Sequence, residues 1–192
     1  MSDQYRHWGG VIRKLWPTER DKFRDHLLRL DTMGRRTRFA HTVSDRFIED
    51  YAERVFDMGS IIFAAFDGGT IVATAELRRL SDRWGSDAEA AFSVETPHQR
   101  RGIGTALMGR VIRSARNRGI RHLYMSCLSE NVPMQSIARR HGAALRFEYG
   151  EVVGELVPTD PNYFSLLGEE MDDRVGFALA VLDLHGRLIK AA

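Results

Sequence analysis

Apolar residues recur along the chain with two periods, and the switches between those periods divide it into strands and helices. Val11 to Leu15 is a short apolar run that predicts a first strand. Thr18 opens a helix reaching about Leu30, with Arg20 and Asp21 in its first turn and Phe23, Leu27, Leu28 and Leu30 on its apolar face. The polar stretch Asp31 to Thr42 reads as a loop, after which Ser44 caps a second helix carrying Phe47, Ile48, Tyr51 and Val55. Ser60 to Phe66 and Thr70 to Leu80 follow as two strands joined at Asp67-Gly68-Gly69, a hairpin signal. A polar turn, Asp82 to Asp87, leads into a strand from Ala88 to Glu95. Leu107, Val111, Ile112 and Ala115 then recur at helical spacing, and Ile120 to Leu128 is strand-like again. A short helix runs from Asn131 to His141-Gly142, and Ala143 to Tyr149 with Glu151 to Val157 closes as a hairpin around Gly150. The expected sheet is mixed and antiparallel early.

Beyond Val157 a long helical pattern begins at Pro161. Phe164, Leu167, Met171, Val175, Ala178, Leu182 and Ile189 make one stripe, and Phe177, Val181, Leu184 and Leu188 a second, with Gly176 a weak point of about 1 kcal/mol. An element apolar on two sides can cover its own sheet with one face and meet a second subunit with the other. The division that follows is a domain over 1–157 and a helical extension over 158–192, packed on that domain or forming a homodimer interface.

The run Gln99-Arg100-Arg101-Gly102-Ile103-Gly104-Thr105-Ala106 places two glycines and two arginines where a strand hands over to a helix. A helix N-terminus offers unpaired N–H groups and the positive end of the macrodipole, and glycines let an anion approach the main chain. The spacing lacks the third glycine of a dinucleotide fingerprint, and no Gly-Lys-Ser or Gly-Lys-Thr occurs. Spacing alone therefore leaves open an ordinary turn with two solvated arginines.

The wider pattern resembles the GNAT acetyltransferase superfamily. Val94, Pro97 and Gln99-Arg100-Arg101-Gly102-Ile103-Gly104 are similar to its Q/R-x-x-G-x-G/A motif, and Asn131 stands where the family has an Asn opening the helix after the fifth strand. The similarity covers roughly residues 60 to 157. Helix, Arg-rich segment with Arg38-Phe39 and second helix also resemble the N-terminal layout of bacterial protein-lysine-acetyltransferase-like members. The resemblance implies a single α/β (α+β) domain whose sheet splays between strands four and five to admit the pantetheine of acetyl-CoA. It implies cofactor contacts at Phe92, Ser93, Val94, Gln99, Arg100, Arg101, Gly102, Ile103, Gly104, Thr105 and Asn131. It also implies transfer of an acetyl group to a primary amine, of a protein lysine or a small molecule, in one ternary complex.

Direct transfer needs a base for the amine and donors for the thioester oxyanion. Glu89, five residues before Val94, matches a catalytic glutamate of the protein-acetyltransferase-like branch; Glu76 and Glu95 compete. A strand bulge usual in that family would change which side chains share its face. The family's tyrosine, which protonates the departing thiolate, falls in register on Ala138, with Ser129 and Ser136 the nearest hydroxyls. That departure keeps an alternative open, a non-catalytic acyl-CoA sensor or interaction module.

Composition narrows the rest. The chain has 192 residues, 43% hydrophobic and 28% charged, with a net charge of +2, which suits one globular domain and no general polyanion binder. Arg35-Arg36-Thr37-Arg38 and Arg100-Arg101 could reach phosphates, although such runs are more often solvated. The lone Cys127 reads as a small buried residue, and the histidines show no metal-ligand spacing. With no apolar run of about 20 residues and no signal-type N-terminus, membrane and nucleic-acid partners are not expected and a cytoplasmic location is the default.

Overall fold

The computed structural model describes residues 10–81 and 83–191, the side chains of residues 187, 188, 190 and 191 excepted; Asp82 and the side chain of Leu188 thus lie outside the described residues. Strand β1 (Val11–Lys14) leads through a 3-10 turn (Pro17–Glu19) into α1 (Arg20–Arg29), α2 (Thr32–Phe39) and α3 (Asp45–Val55). Strands β2 (Ile61–Asp67), β3 (Thr70–Arg79) and β4 (Asp87–Val94) precede α4 (Ile103–Asn117). Then come β5 (His122–Leu128), α5 (Val132–Arg140), β6 (Ala144–Glu148), β7 (Glu151–Leu156) and α6 (Tyr163–Ala191). The strands form one seven-stranded sheet in the order β1-β2-β3-β4-β5-β7-β6, antiparallel except for β4 beside β5.

Two layers of helices cover the sheet. On one face Leu107, Met108, Val111 and Ala115 of α4 pack against Phe63, Ala75, Leu77, Leu123 and Met125. On the other, Phe23 and Leu27 of α1 and Ile48, Ala52 and Val55 of α3 pack against Ile62, Ala64 and Ile71. Burial on both faces is why β2 reads as a continuous apolar run rather than an alternation. The β2–β3 hairpin turns through Gly68 and Gly69, both at positive φ (56° and 83°), as a two-residue turn matched to strand twist demands.

The sequence reading fails at residues 31 to 42. There is no loop across 32–39 but a helix, α2, although its residues are mostly polar. Three contacts replace the missing apolar stripe. The Asp31 carboxylate accepts from the Gly34 N–H at 2.7 Å as an N-cap, Arg35 donates to the Leu28 and Leu30 carbonyls, and Arg38 turns into the core. Arg35 also pairs with Asp45 at 2.6 Å, so neither Arg35 nor Arg38 is the solvated phosphate-reaching side chain that the sequence left open.

Candidate active site

Strands β4 and β5 pair over only three residues, Asp87 with His122, Ala88 with Leu123 and Glu89 with Tyr124, and then part. The backbone parity of β4 follows from its neighbours. Glu95 N–H donates to the Val72 carbonyl of the β3 side, while the Ser86 carbonyl accepts from Arg121 and His122 at the start of β5. Odd residues of β4 thus turn their backbone groups to β3, and even residues turn theirs to β5. Past Glu89 the even residues, Ala90, Phe92 and Val94, face a fork with no strand to receive them. Such edge groups need a partner, and an extended amide-bearing chain can supply it. The Val94 carbonyl already accepts from Gln99 Nε2 at 3.2 Å.

The β3–β4 register runs unbroken from Arg79–Ala88 to Ala73–Val94, so the bulge implied by the resemblance is not in β4; the sheet's register shift lies at Ala65/Phe66 of β2. Parity therefore holds, and Glu89, Ala91 and Ser93 share the face opposite α4. Ser93, one of the expected cofactor contacts, lies on that face. Its backbone turns away from the fork, and its hydroxyl bonds His26 Nε2 at 2.8 Å and Thr74 Oγ1 at 2.8 Å. The Ile103 side chain is in the core, so its N–H is the group it offers a ligand.

The turn into α4 has the form an anion cradle requires. Arg100 and Gly102, with φ of 58° and 81°, are both in the left-handed region, and Gly102 caps the helix there. The first intrahelical bond reaches back from Ala106 N–H to the Gly102 carbonyl, which leaves the N–H groups of Ile103, Gly104 and Thr105 without helical acceptors. Gly104 has a second reason to be glycine, because a Cβ there would lie 2.9 Å from Ile137 Cδ1 of α5. Gln99, Arg100 and Arg101 are exposed around this turn, and Arg101 Nη1 lies 3.2 Å from His98 Nδ1. Across the fork Asn131 caps α5, its Oδ1 accepting from Met134 N–H at 3.2 Å.

Three carboxylates stand on the face opposite α4, in different surroundings. Glu76 is wholly buried: Oε1 accepts from Arg38 Nη2 and Oε2 from the Tyr51 hydroxyl, while Arg38 also donates to Tyr51 at 2.9 Å. Burial and the Glu76 charge push the Tyr51 phenol well above its ordinary value; burial alone would lower Arg38, but Glu76 and Tyr51 outweigh it and keep the guanidinium charged. Glu95 accepts from Arg29 at 2.9 Å and pairs with His26 Nδ1 at 2.9 Å, and these bonds outweigh its partial burial and depress its pKa. Glu89 is partly exposed and has only a long contact, 3.6 Å, to Arg78. Of the three, its side chain is the most exposed, at 32% against 14% for Glu95 and 0% for Glu76, and it lies at the root of the fork.

His26 is fully buried, and desolvation lowers its pKa despite the Glu95 contact. Its unfolded value is near 6.5, so below that pH the unfolded chain binds more protons than the folded one. The stability tied to neutral His26 is complete above about pH 6.5 and is lost as the pH falls toward the lower folded value. Glu95, with its depressed pKa, adds a loss of the same sign at still lower pH. The melting temperature of the chain is expected to fall between about pH 7 and pH 5, and the fall to shrink in His26→Gln. A drop of the same size in His26→Gln would show that other groups cause it.

Helix α2 spans the fork on the face opposite α4. Its cap Asp31 accepts from Thr96 Oγ1 at 2.6 Å, just past β4, while Arg36 pairs with Glu130 at 3.2 Å, just past β5. The helix that sequence reasoning missed thus bridges both exits of the fork. Asp31 before Thr32 was the signal that could have found it. Ala138, in the register of the family's tyrosine, is buried in the core, so α5 presents no phenol there. Ser129 and Ser136 are exposed, and Cys127, expected in the core, is only half-buried on β5, its thiol pushed up by desolvation and by Glu151. Among the described residues no group of three His, Cys, Asp or Glu gathers as a metal site, and no helix is long and apolar enough to cross a membrane.

A family model described as Acetyltransferase (GNAT) family matches residues 23–143, more than half of the chain. The chain belongs to the GNAT acetyltransferase family. Over 89 residues it is 36% identical to the acetyltransferase Pat of Mycolicibacterium smegmatis, a match spanning 46% of this chain and about a quarter (26%) of that protein's length. Among solved structures, the GNAT domain of PAT from S. lividans superposes with a TM-score of 0.64 at 24% identity, covering 76% of this chain and 89% of that one. The acetyltransferase-like yncA of Salmonella typhimurium, solved with acetyl-CoA, gives 0.60 at 15% identity, with 81% and 97% covered. A cAMP-binding acyltransferase from Mycobacterium smegmatis gives 0.57 at 25%, with 88% and 51% covered. This GNAT chain therefore shares its overall fold with these solved structures.

Proposed function

We propose that the chain is an acetyl-CoA-dependent N-acetyltransferase acting on a primary amine by direct transfer. The observation that carries this reading is the fork between β4 and β5, closed at Glu89 and continued by the cradle at Gly102. In this reading the even-residue backbone groups at Phe92 and Val94 hold the pantetheine amides. The N–H groups of Gly102 to Thr105, with Gln99, Arg100 and Arg101 around them, hold the diphosphate, and Asn131 borders the arm from α5. The edge N–H groups of β4 also supply donors for the thioester oxygen as charge develops on it.

Glu89 takes the proton of the attacking amine, directly or through one water, and the acetyl group moves from sulfur to nitrogen as the C–S bond breaks. Thiolate is a good leaving group near neutral pH, so its protonation by water suffices without a tyrosine. The N-terminal layout, similar to that of protein-lysine-acetyltransferase-like members of the family, supports a protein lysine or a small amine as acceptor. The buried Ala138 favours a second reading, an acyl-CoA-binding module without turnover. The two part on one measurement: purified chain is incubated with acetyl-CoA and a panel of amines and lysine peptides while thiol release is followed. Release on any acceptor supports the enzyme; binding with no release across the panel supports the sensor.

The cradle gives a separate expectation. Gly102→Val forces a β-branched residue into the left-handed region, at about 1–2 kcal/mol or more. Acetyl-CoA affinity by calorimetry is expected to fall about tenfold or more, and unchanged affinity would remove the diphosphate from this turn.

A further inference from the structure

Helix α6 is amphipathic the wrong way round for an element that only covers its own domain. Its inward face is polar. Glu169 accepts from Ser114, Asn117 and Arg118; Asp172 accepts from Arg110 and Arg113; Asp173 and Asp183 pair with Lys14 and Lys22 at 3.0 and 2.6 Å. Gly176 and Ala180 lie flush between these contacts, and Gly176 could not take a Cβ without pressing within 3.2 Å of Arg13. The apolar stripe faces out: Phe164 is 82% exposed, Met171 60%, Val175 60%, Leu182 68% and Ile189 65%. A surface helix normally buries its apolar stripe and shows its charges.

The exposed stripe is symmetric about its own centre. Phe164, Leu167, Met171, Val175, Ala178, Leu182, Gly186 and Ile189 follow one another at intervals of 3, 4, 4, 3, 4, 4 and 3, the same read from either end. None of these positions carries a charge. If two copies of α6 lie antiparallel about a two-fold axis between Val175 and Ala178, Phe164 meets Ile189, Leu167 meets the notch at Gly186, Met171 meets Leu182, and Val175 meets Ala178. Each contact then occurs twice, large against small at two of the four, as a two-fold interface requires. The six large side chains of the stripe together present roughly 550–750 Å², taking about 150–200 Å² for a fully exposed large one. The largest patch on an ordinary monomer is about 300–600 Å². One side of a stable interface contributes about 600–1,000 Å².

We infer that the outer face of α6 is the docking surface for a second copy of this chain, in antiparallel two-fold contact centred between Val175 and Ala178. Sedimentation equilibrium of the chain at micromolar concentration is then expected to give twice the 21.9 kDa chain mass. Met171→Glu and Leu182→Lys, each checked for unchanged circular dichroism and acetyl-CoA binding, are each expected to raise the dimer Kd at least tenfold. The double variant M171E/L182K, which sets the new charges opposite each other across the axis, restores the dimer. A monomeric parent chain overturns the inference whatever the variants do. So does a dimer that both single variants leave intact, or a double variant weaker than either single one, since these place the contact elsewhere or in another register.

Discussion

Replacing Glu89 by Gln is expected to lower turnover by roughly 10²-fold or more while leaving acetyl-CoA affinity nearly unchanged. The two halves of that result come from different parts of the site. Cofactor contacts in the proposed reading come from the β4 backbone past Glu89, from Gln99 to Thr105 and from Asn131, and Glu89 contributes none of them: its own backbone faces β3 and its side chain stands on the face opposite α4. An amide of the same shape preserves the contact to Arg78 and removes only the ability to take a proton. Stopped assays of thiol release across pH, with calorimetry for binding, read both halves. Glu95→Gln is the fitting comparison, because that carboxylate is held by His26 and Arg29 and its loss should act on stability first. Unaltered turnover in Glu89→Gln at every pH would remove it as the base, and a parallel loss of acetyl-CoA binding would make it a structural residue.

Glu76→Gln is expected to act on stability more than any other single change in the site, by about 3–5 kcal/mol. The Glu76 carboxylate is wholly buried and offsets the buried Arg38 guanidinium, with the Tyr51 hydroxyl as third member. A neutral amide leaves the Arg38 charge in the core without its counter-ion, and such an orphan costs more than the intact pair contributes. At about 2–4 °C per kcal/mol for a chain of this size, the melting temperature falls by about 10 °C. Arg38→Met/Glu76→Met, which removes both charges, should lie well above the single variant, since apolar replacement of a buried pair is often near neutral. A single variant that melts within 2 °C of the parent would mean that water reaches the pair.

Much of this was readable from the chain. The strands and α1, α3, α4 and α5 follow from apolar periodicity, and Asp67-Gly68-Gly69, Ser44 and Asn131 marked their turns and caps because those positions require particular backbone angles or acceptors. The turn at Gln99 to Ala106 was legible for the same reason: glycine at a left-handed position ahead of a helix is a local requirement. Helix α2 was not legible, because its stability comes from a capping aspartate and from arginines bonded to distant partners rather than from a stripe. Nor could spacing show that Glu76, Glu89 and Glu95, residues of one type near one another in sequence, would end one locked, one accessible and one paired to a histidine.

What the sequence by itself determined is therefore what local chemistry determines: where backbone must extend, coil, turn or be capped, and that a glycine-bearing turn lies before α4. The tertiary structure decided which side chains are free to act. Arg38 and Glu76 are far apart in the chain, as are His26 and Glu95, and Asp31 and Arg36 reach residues beyond β4 and β5. Whether a carboxylate is a base or a counter-ion depends on those partners and on burial, which desolvates one group and leaves another in water. The same holds for α6, whose two stripes were visible in the sequence. Only the positions of Lys14, Lys22, Arg110, Arg113 and Arg118 drew its acidic face inward and left its apolar stripe exposed.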